Sequence, residues 1–596
     1  MTDPSNAEQQ PPKWQWPVVA ALLVIHAVLA IDTARRLSIT HDEYWHVPVG
    51  MLMLSGEFEH DRINPPLLRQ YLAIPAVLSG YQMQVPQSGE DATAYGDQFV
   101  ELNPDSFENA YFMARCMNIV LSLATGWLIA YWAHQLAGTA ACMAAAFLWC
   151  LSPLTLGLAS LATTDVGCAF AFTACGFSFW KFCRQPSRRM LWITGVVLGL
   201  AQLTKFTALF LYLAVVPVWF FLAFYNRSVP NQSAGSEQIE TKQLSSKKLA
   251  LGFLAIVGIS LVVLNLGYLF QRSGSSLRSI SPTGENIAPS FVSNRFQQLA
   301  KTPILSSVPL PLPRDYVLGL DQLSHVSEGK HPVYLNGRWR FNGFWNYYAY
   351  ALIYKLPIGA VLMMGLALFA VFKFRAISMR EFFFLSTPAI VLFAVASTMS
   401  LQLGLRYLLP IMPFAVLVAS LSGTMWQASG RGPQLVLALG FISVAAAVRQ
   451  HPNHLAFFNE MVGGPANGRH LLVDSNIDWG QNVRDLQRFV EENNVQDLKL
   501  AYFGSISPRS YGLKYTTPSS FYPTVGWNAI SVNFVMGRPH SLRLADGTVR
   551  AVNIDEFGYF RFFEPTAKLG ESIDLYHLSE LDVARWRAAF LKANQQ

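Results

Sequence analysis

Four ionisable side chains lie close together in the first polar segment that follows an apolar run. They are His41, Asp42, Glu43 and His46, all within residues 41–46. A carboxylate at such a position can act as a general base that takes a proton from an attacking group. Alternatively, acidic residues at a solvated helix end simply stabilise the helix dipole. Composition and spacing leave both interpretations open, and Asp42 with Glu43 is the candidate catalytic pair.

Metal binding is a second chemistry that this segment could support. His46 follows Asp42 by four residues, so the two side chains would share one face of a helix. Two ligands do not make a metal site, although a divalent cation stays open. None of the six cysteines has the spacing of a zinc site. We therefore predict no cysteine-bound metal, and a divalent cation is the one cofactor that stays open.

Three more ionisable residues border apolar runs elsewhere in the chain: Asp165, Lys205 and Arg406. An ionisable group at the border of a membrane span costs about 2.5–3.5 kcal/mol on insertion scales, which makes it a candidate for function. The alternative for Lys205 and Arg406 is that their long side chains only reach towards the membrane surface. We predict that these residues and His46 bind substrate.

The elements around these residues are membrane spans. The chain has 596 residues, of which 52% are hydrophobic and 14% charged, and its mean hydropathy is +0.28. A helix needs roughly 20 apolar residues to cross a bilayer. About eleven runs qualify: 16–35, 112–134, 138–158, 165–183, 190–204, 206–225, 249–270, 350–372, 382–400, 406–425 and 432–449. The sequence thus predicts a polytopic α-helical membrane protein. Its net charge of +7 is explained by basic loops and lipid contacts rather than by nucleic acid.

Basic residues orient these spans. As one straight helix, residues 190–225 would reach about 54 Å, so we split the run near Thr204 and Lys205. Basic flanks on both sides then mark one cytoplasmic face. These flanks are Lys181, Arg184, Arg188, Arg189, Lys242, Lys247 and Lys248. Counting outward places the N-terminus inside the cell, and it places the loops 36–111 and 271–349 and everything after about residue 450 outside.

Three segments result from this count: a disordered cytoplasmic N-terminus at 1–15, a multi-pass domain at 16–449 and an extracytoplasmic α/β domain at 450–596. In the last segment, 470–473 reads as a buried strand and 482–492 as an amphipathic helix. Further predicted elements are strands at 498–503, 529–535 and 572–577 and a helix at 579–593.

The order of motifs resembles that of the GT-C class of membrane glycosyltransferases, and is most similar to the protein O-mannosyltransferase and aminoarabinose-transferase families. Those families have an Asp-Glu pair at the start of the first outer loop and a His-Pro-Pro-Leu-like motif after it. Here asparagine replaces that histidine, at Asn64. The likeness covers most of the chain and rests on Asp42-Glu43, Asn64-Pro65-Pro66-Leu67, residues 159–165, residues 199–206, Arg406-Tyr407-Leu408-Leu409-Pro410, Phe457-Phe458-Asn459-Glu460 and residues 474–481.

The resemblance implies a polyprenyl-phosphate-linked sugar as donor and an acceptor hydroxyl on a protein, lipid or polysaccharide. It implies that Asp42 is the general base of an inverting transfer. Arg406 and Lys205 would hold the lipid phosphate, and Arg69 or Arg115 would assist them. Glu43, Asp165 and His46 would orient the acceptor, tune Asp42 or bind a divalent cation.

Two other functions remain alternatives at this stage. A transporter or flippase of lipid-linked precursors would show polar residues spread through helix interiors and a pseudo-repeat. A non-catalytic scaffold for envelope assembly would use the C-terminal segment for binding alone.

Overall fold

The structure, a computed structural model, describes residues 14–87, 92–225, 246–280, 291–427 and 432–593. Residues 1–13 of the N-terminus that we predicted to be disordered lie outside the described residues. Lys242, one of the basic residues that we used to orient the spans, lies outside them as well. The helices up to residue 280 are α1 (Gln15–Arg36), α2 (Glu43–Leu54), α3 (Pro66–Leu78), α4 (Ala92–Leu102), α5 (Phe107–Cys150), α6 (Pro153–Ala159), α7 (Thr164–Arg184), α8 (Arg188–Gln202), α9 (Val216–Tyr225), α10 (Ser246–Gly267) and α11 (Leu277–Ile280).

The second half contains the remaining helices and all strands. The helices are α12 (Asn294–Lys301), α13 (Pro303–Ser307), α14 (Arg314–Glu328), α15 (Tyr347–Lys355), α16 (Ile358–Phe374), α17 (Met379–Thr398), α18 (Met412–Ser420), α19 (Gly432–Gln450), α20 (Gly464–Gly468), α21 (Val483–Glu492), α22 (Val532–Val535) and α23 (Glu580–Ala593). The strands are β1 (Val333–Leu335), β2 (Arg338–Arg340), β3 (Lys499–Ala501), β4 (Gly526–Ser531), β5 (His540–Arg543), β6 (Val549–Val552), β7 (Ala567–Leu569) and β8 (Ile573–Leu578).

Among the described residues, seven helical segments are long and apolar enough to cross a membrane, and a bent pair raises the number to eight. The seven are Gln15–Arg36, Phe107–Cys150, Thr164–Arg184, Ala250–Gly267, Met379–Thr398, Leu405–Trp426 and Gly432–Gln450. The chain is therefore a helical membrane protein. The predicted run 350–372 is not one straight helix, because α15 and α16 meet at an angle of 110° next to Pro357.

Helix α5 is broken in its middle. Ala137 and Gly138 have non-helical backbone angles, and Gly138 has a φ of 80°, which glycine adopts without the strain of a Cβ. The Trp149 indole nitrogen donates to the Ser122 carbonyl, although a straight helix would separate these residues by about 40 Å. The two halves of α5 therefore fold back on each other at the point where the sequence separates two spans.

The C-terminal segment contains a four-stranded sheet in the order β3-β4-β8-β7. Strands β3 and β4 are parallel, and the other two pairings are antiparallel. The predicted strand at 470–473 is wrong: these residues form turns and coil, and Leu472 and Val473 are buried by packing alone. The predicted strand at 529–535 ends at Ser531, where α22 begins.

One apolar cluster joins this sheet to the helices that follow α1. Val483 and Leu486 of α21 pack with Leu575 of β8, and the same cluster includes Tyr44 of α2 and Phe99 of α4. The C-terminal segment is thus anchored on the helices that follow α1, which brings its loops next to Asp42.

Candidate active site

Asp42 and Arg406 form an ion pair between chain segments that are far apart in sequence. Asp42 directly precedes α2, and Arg406 belongs to the 3-10 segment Leu405–Ile411. Arg406 Nη1 donates to Asp42 Oδ2 at 2.6 Å. The Asp42 side chain keeps 20% of its surface exposed, so a substrate can reach it. Burial raises the pKa of Asp42, but the charges of Arg406, His41 and His46 outweigh burial and hold that pKa well below its ordinary value.

Asp165 and Lys205 extend this pair into a chain of alternating charges. Asp165 lies in the first turn of α7, and Lys205 follows the end of α8. Lys205 Nζ donates to Asp165 Oδ1 at 2.6 Å, and Arg406 Nη1 lies 3.8 Å from Asp165 Oδ2. The structure thus brings together four of the predicted residues. Among these four residues, Asp165 lies near both cations, while Asp42 pairs with Arg406 alone.

Aromatic rings cover both cations. The Arg406 guanidinium lies 4.1 Å from the ring centroid of Trp479 and 5.2 Å from that of Tyr407, and Lys205 Nζ lies 5.0 Å from the Tyr407 centroid. Such contacts favour a fixed cation in a partly dehydrated site. Within the described part of the chain, Arg406 Nε has no hydrogen-bond partner. This N–H is buried, so it is an unsatisfied donor within the site.

Glu43 has a different environment from Asp42, although the two are adjacent. Both of its oxygens accept from Arg115, at 2.8 Å each, and Thr40 and the backbone N–H of Ala162 donate to it as well. Arg115 also donates to the carbonyls of Ala34, Leu37 and Ser38 at the end of α1. Glu43 is fully buried. Its contacts favour a role in fixing the loop before α2 over direct contact with substrate.

We therefore expect Glu43→Gln to reduce stability more than it alters the chemistry. Breaking a buried ion pair by removing one partner costs about 3–5 kcal/mol, because the remaining charge stays buried. Thermal unfolding of the purified protein in nanodiscs measures the loss. The matched control is Arg36→Gln, which breaks the exposed pair with Asp32 and should change little. Equal melting temperatures for Glu43→Gln and the wild type would contradict the structural role.

His46 and Arg69 form a second buried group beside the ion pairs. Arg69 Nε donates to His46 Nδ1 at 3.1 Å, and Arg69 Nη2 donates to Asp61 Oδ2 at 2.6 Å. Burial and the Arg69 charge hold the pKa of His46 well below its ordinary value despite the opposing effect of Asp42. Arg69 is completely buried and holds the His46 ring and the loop before α3, through the Asp61 carbonyl. It supports the site rather than presenting its guanidinium to a ligand.

The loop 474–482 of the C-terminal segment completes the site, which the sequence did not predict. The His41 backbone N–H donates to the Trp479 carbonyl at 3.0 Å, and the Leu405 N–H donates to Asn476 Oδ1 at 3.1 Å. Gly404 has a φ of 119°, and a Cβ there would lie 2.5 Å from Ser475 Oγ. The loop therefore fixes the segments that carry Asp42 and Arg406.

The wall next to Asp42 also comes from the C-terminal segment. Ser505 Oγ lies 2.6 Å from His41 Nδ1, and the His41 ring centroid lies 5.9 Å from that of Phe503 and 5.2 Å from that of His540. The only sequence signal for these contacts was the motif that contains Trp479. For Ser505, Phe503 and His540 there was none.

Asp474 and Asp478 stabilise this loop. Arg538 pairs with Asp474 at 2.5 Å, the Gly480 N–H donates to Asp478 at 3.0 Å, and the Ser531 hydroxyl also donates to Asp478. Burial raises the pKa of Asp478 to about 6. The turn geometry agrees with the short-range role that Asp side chains commonly have in loops.

This raised pKa predicts a pH dependence of stability that Asp478→Asn removes. The native carboxyl keeps a proton that the unfolded chain releases at about pH 4. The wild type should therefore lose stability relative to the Asn variant as the pH rises from about 4 to about 6. Above about pH 6 and below about pH 4, the difference in stability between the wild type and the Asn variant should not change with pH. Melting temperatures of both proteins across the window test this, and a constant difference throughout would refute it.

Metal ligands are not grouped in the described residues. No cluster of three or more His, Cys, Asp or Glu side chains that could hold a metal ion occurs there. The contacts of Asp42 and His46 are with arginines instead.

Comparison with known families places this geometry in context. The family model described as "Dolichyl-phosphate-mannose-protein mannosyltransferase" matches residues 42–272. The match begins at Asp42 and includes Asp165 and Lys205. Residues 42–272 are therefore similar to protein O-mannosyltransferases. Arg406 and the loop 474–482 lie beyond the matched range, and the fold brings them to Asp42.

The chain is also similar to three solved structures, each at 18% sequence identity or less. ArnT from Cupriavidus metallidurans bound to undecaprenyl phosphate is 15% identical, with a TM-score of 0.45 over 77% of this chain and 68% of that chain. The apo state of ArnT has a TM-score of 0.40 at 13% identity, over 74% of this chain and 70% of that one. The protein O-mannosyltransferase Pmt1-Pmt2 complex of S. cerevisiae bound to the sugar donor has a TM-score of 0.34 at 18% identity, over 55% of this chain and 39% of that one. No curated protein matches the sequence.

Proposed function

We propose that this protein transfers a sugar from a polyprenyl-phosphate-linked donor to an acceptor hydroxyl at the membrane surface. The observation that supports this most directly is the chain of alternating charges Asp42, Arg406, Asp165 and Lys205. It combines a reachable carboxylate with two cations, which are the groups that this transfer requires. The description of the matching family agrees with a glycosyltransferase.

Asp42 is the proposed general base. Its depressed pKa keeps the carboxylate ionised at neutral pH, so it can accept the proton of the attacking hydroxyl. The acceptor oxygen forms a bond to the anomeric carbon of the donor while the bond from that carbon to the phosphate oxygen breaks. The lipid phosphate leaves as an anion. A single direct displacement of this kind inverts the anomeric centre, by the same geometric logic as in glycosidases.

Arg406 and Lys205 are the proposed phosphate ligands. Each keeps a carboxylate partner and an aromatic cover that fix its position before the donor arrives. A preorganised cation stabilises charge that develops on the leaving group without reorganisation during the reaction. Among the described residues, the buried Arg406 Nε is an unsatisfied donor beside these ion pairs.

The remaining predicted residues are proposed to position this centre. Glu43 with Arg115 fixes the loop before α2, and Arg69 with Asp61 fixes His46. These contacts oppose our expectation that Arg69 or Arg115 assists directly at the phosphate. His46, one helical turn after Asp42, remains a candidate for contact with the acceptor.

The proposed topology has about eleven crossings, a cytoplasmic N-terminus and all four charged residues on the outer face. The element order supports one shared face: Asp42 follows the end of α1, Asp165 begins α7, Lys205 follows α8 and Arg406 precedes α18. We further propose that residues 16–449 form the membrane domain and 450–596 an extracytoplasmic α/β segment that completes the active site.

The experiment uses purified full-length protein and the lipids that accompany it. We expect mass spectrometry to find a polyprenyl-phosphate sugar bound to the protein in a membrane extract. Incubation of this complex with the same extract should convert the bound lipid to free polyprenyl phosphate. Movement of the lipid-linked sugar across proteoliposomes without release of polyprenyl phosphate would overturn the proposal and favour a transporter.

A further inference from the structure

The segment between α10 and α14 has apolar residues on two faces. On the inner face, Leu277, Ile280, Phe291 and Val317 form a buried cluster, against which Phe296 and Ala300 of α12 pack. A short surface helix in water needs only one apolar face, because its other face meets the solvent. The exposed apolar residues of α12 and α13 on the second face therefore require another partner.

This second face is strongly exposed. Ile304 is 79% exposed, and Leu305, Val308 and Leu299 are exposed by 50%, 48% and 40%. They lie within ten residues of one another, in α12, in α13 and directly after α13. Single exposed apolar residues are ordinary, but a contiguous group of this kind marks a contact with another protein or with a membrane.

Hydrogen bonds fix the position of this face relative to the membrane spans. Asn265, inside α10, donates its side-chain N–H to the Pro311 carbonyl at 3.0 Å, and the Leu310 N–H donates to the Ser275 carbonyl at 3.2 Å. The chain directly after α13 therefore lies beside the end of α10. That end continues the lipid-facing surface of the span, because Leu266 is 58% exposed there.

Basic residues accompany the exposed apolar ones. Arg295 and Lys301 of α12 are both exposed. Helices that lie in the membrane interface combine apolar residues on one face with Lys or Arg that meets the lipid phosphates.

We propose that α12 and α13 lie in the leaflet on the Asp42 side of the membrane. Leu299, Ile304, Leu305 and Val308 enter the acyl region, and Lys301 stays at the phosphates. This does not depend on the proposed sugar transfer.

Helix α14 connects this membrane contact to the candidate active site. The Tyr316 ring of α14 lies 5.1 Å from that of Phe206, the residue after Lys205, and Asp315 accepts from Arg62 at 2.7 Å. The leaflet contact therefore holds α14 against the loop that carries Lys205. Donor lipids in that leaflet would meet the protein close to its phosphate-binding residues.

Site-directed spin labelling of the full-length protein in nanodiscs tests the placement. Ile304→Cys and Leu305→Cys each receive a nitroxide, and Val549→Cys on β6, an apolar position that is 55% exposed in the C-terminal hairpin, is the control. The wild type, labelled in the same way, gives the background from its six cysteines. Accessibility to oxygen, which concentrates in lipid, is compared with accessibility to a water-soluble nickel chelate.

We expect the labels at 304 and 305 to be several-fold more accessible to oxygen than to the nickel chelate, and the label at 549 to show the reverse. Equal nickel accessibility at 304 and 549 would overturn the proposal, since the face would then lie in water. Low accessibility to both reagents at 304 would also overturn it, because a protein partner would then cover the face.

Discussion

Replacement of Asp42 by asparagine should reduce sugar transfer by about 10²–10⁴-fold, the range typical of a lost general base. Asparagine preserves the size of the side chain but cannot take the proton of the attacking hydroxyl. Binding of the lipid-linked donor should persist, because the proposed phosphate ligands Arg406 and Lys205 remain. Transfer rates of the purified variant, with donor binding measured in parallel, check this expectation.

The control for this variant is Asp97→Asn. Asp97 also pairs with an arginine, Arg543, at 2.8 Å. It does not belong to the group Asp42, Arg406, Asp165 and Lys205, and its side chain is 42% exposed. This variant should transfer sugar nearly as fast as the wild type. If Asp42→Asn also transferred sugar at a near-wild-type rate while folded in the membrane, Asp42 would not be the base.

The Arg406→Gln variant should lose about 10²–10³-fold in transfer rate, as expected for the loss of one preorganised charge donor. It should also change the pH profile in a defined direction. Arg406 holds the pKa of Asp42 down, so its removal lets burial raise that pKa. The acid limb of the pH–rate profile should therefore move to higher pH, because Asp42 must be ionised to act as a base.

Two further variants separate charge from geometry. Arg406→Lys keeps the positive charge but loses the planar contact with Trp479. Compared with Arg406→Gln, it should bring the acid limb back towards its wild-type pH more fully than it restores the transfer rate. Arg62→Gln, which breaks the partly exposed pair with Asp315, is the matched control and should leave the acid limb unchanged. If the acid limb of Arg406→Gln lay at the same pH as that of the wild type, Arg406 would not control the pKa of Asp42.

The charged part of the site was predictable from the sequence for a physical reason. Ionisable residues at the ends of apolar runs are costly, so Asp42, Asp165, Lys205 and Arg406 stood out individually. The helix order then placed them on one face. Their pairing is a tertiary contact, and the sequence could not distinguish the reachable Asp42 from the buried Glu43 next to it.

The aromatic and loop contacts were not predictable in the same way. Trp479 and Ser505 lie in irregular segments, where no periodicity shows which neighbour they meet. The apolar run at 470–473 was misread as a strand because short buried runs look alike whether or not their backbone pairs. The bend between α15 and α16 follows from Pro357, which disfavours a helical conformation at the preceding residue.

The contacts of Trp479 and Ser505 with the segment around Asp42 bear on the biosynthesis of the protein. A ribosome makes Asp42 early and these residues only near the end of translation. Until the last quarter of the chain has emerged and folded onto the first loop, Arg406 lacks its contact with Trp479 and His41 lacks its contacts with Phe503 and Ser505. A partly synthesised chain would therefore already sit in the membrane without being able to consume the donor lipid, and catalytic competence would begin only with the finished polypeptide.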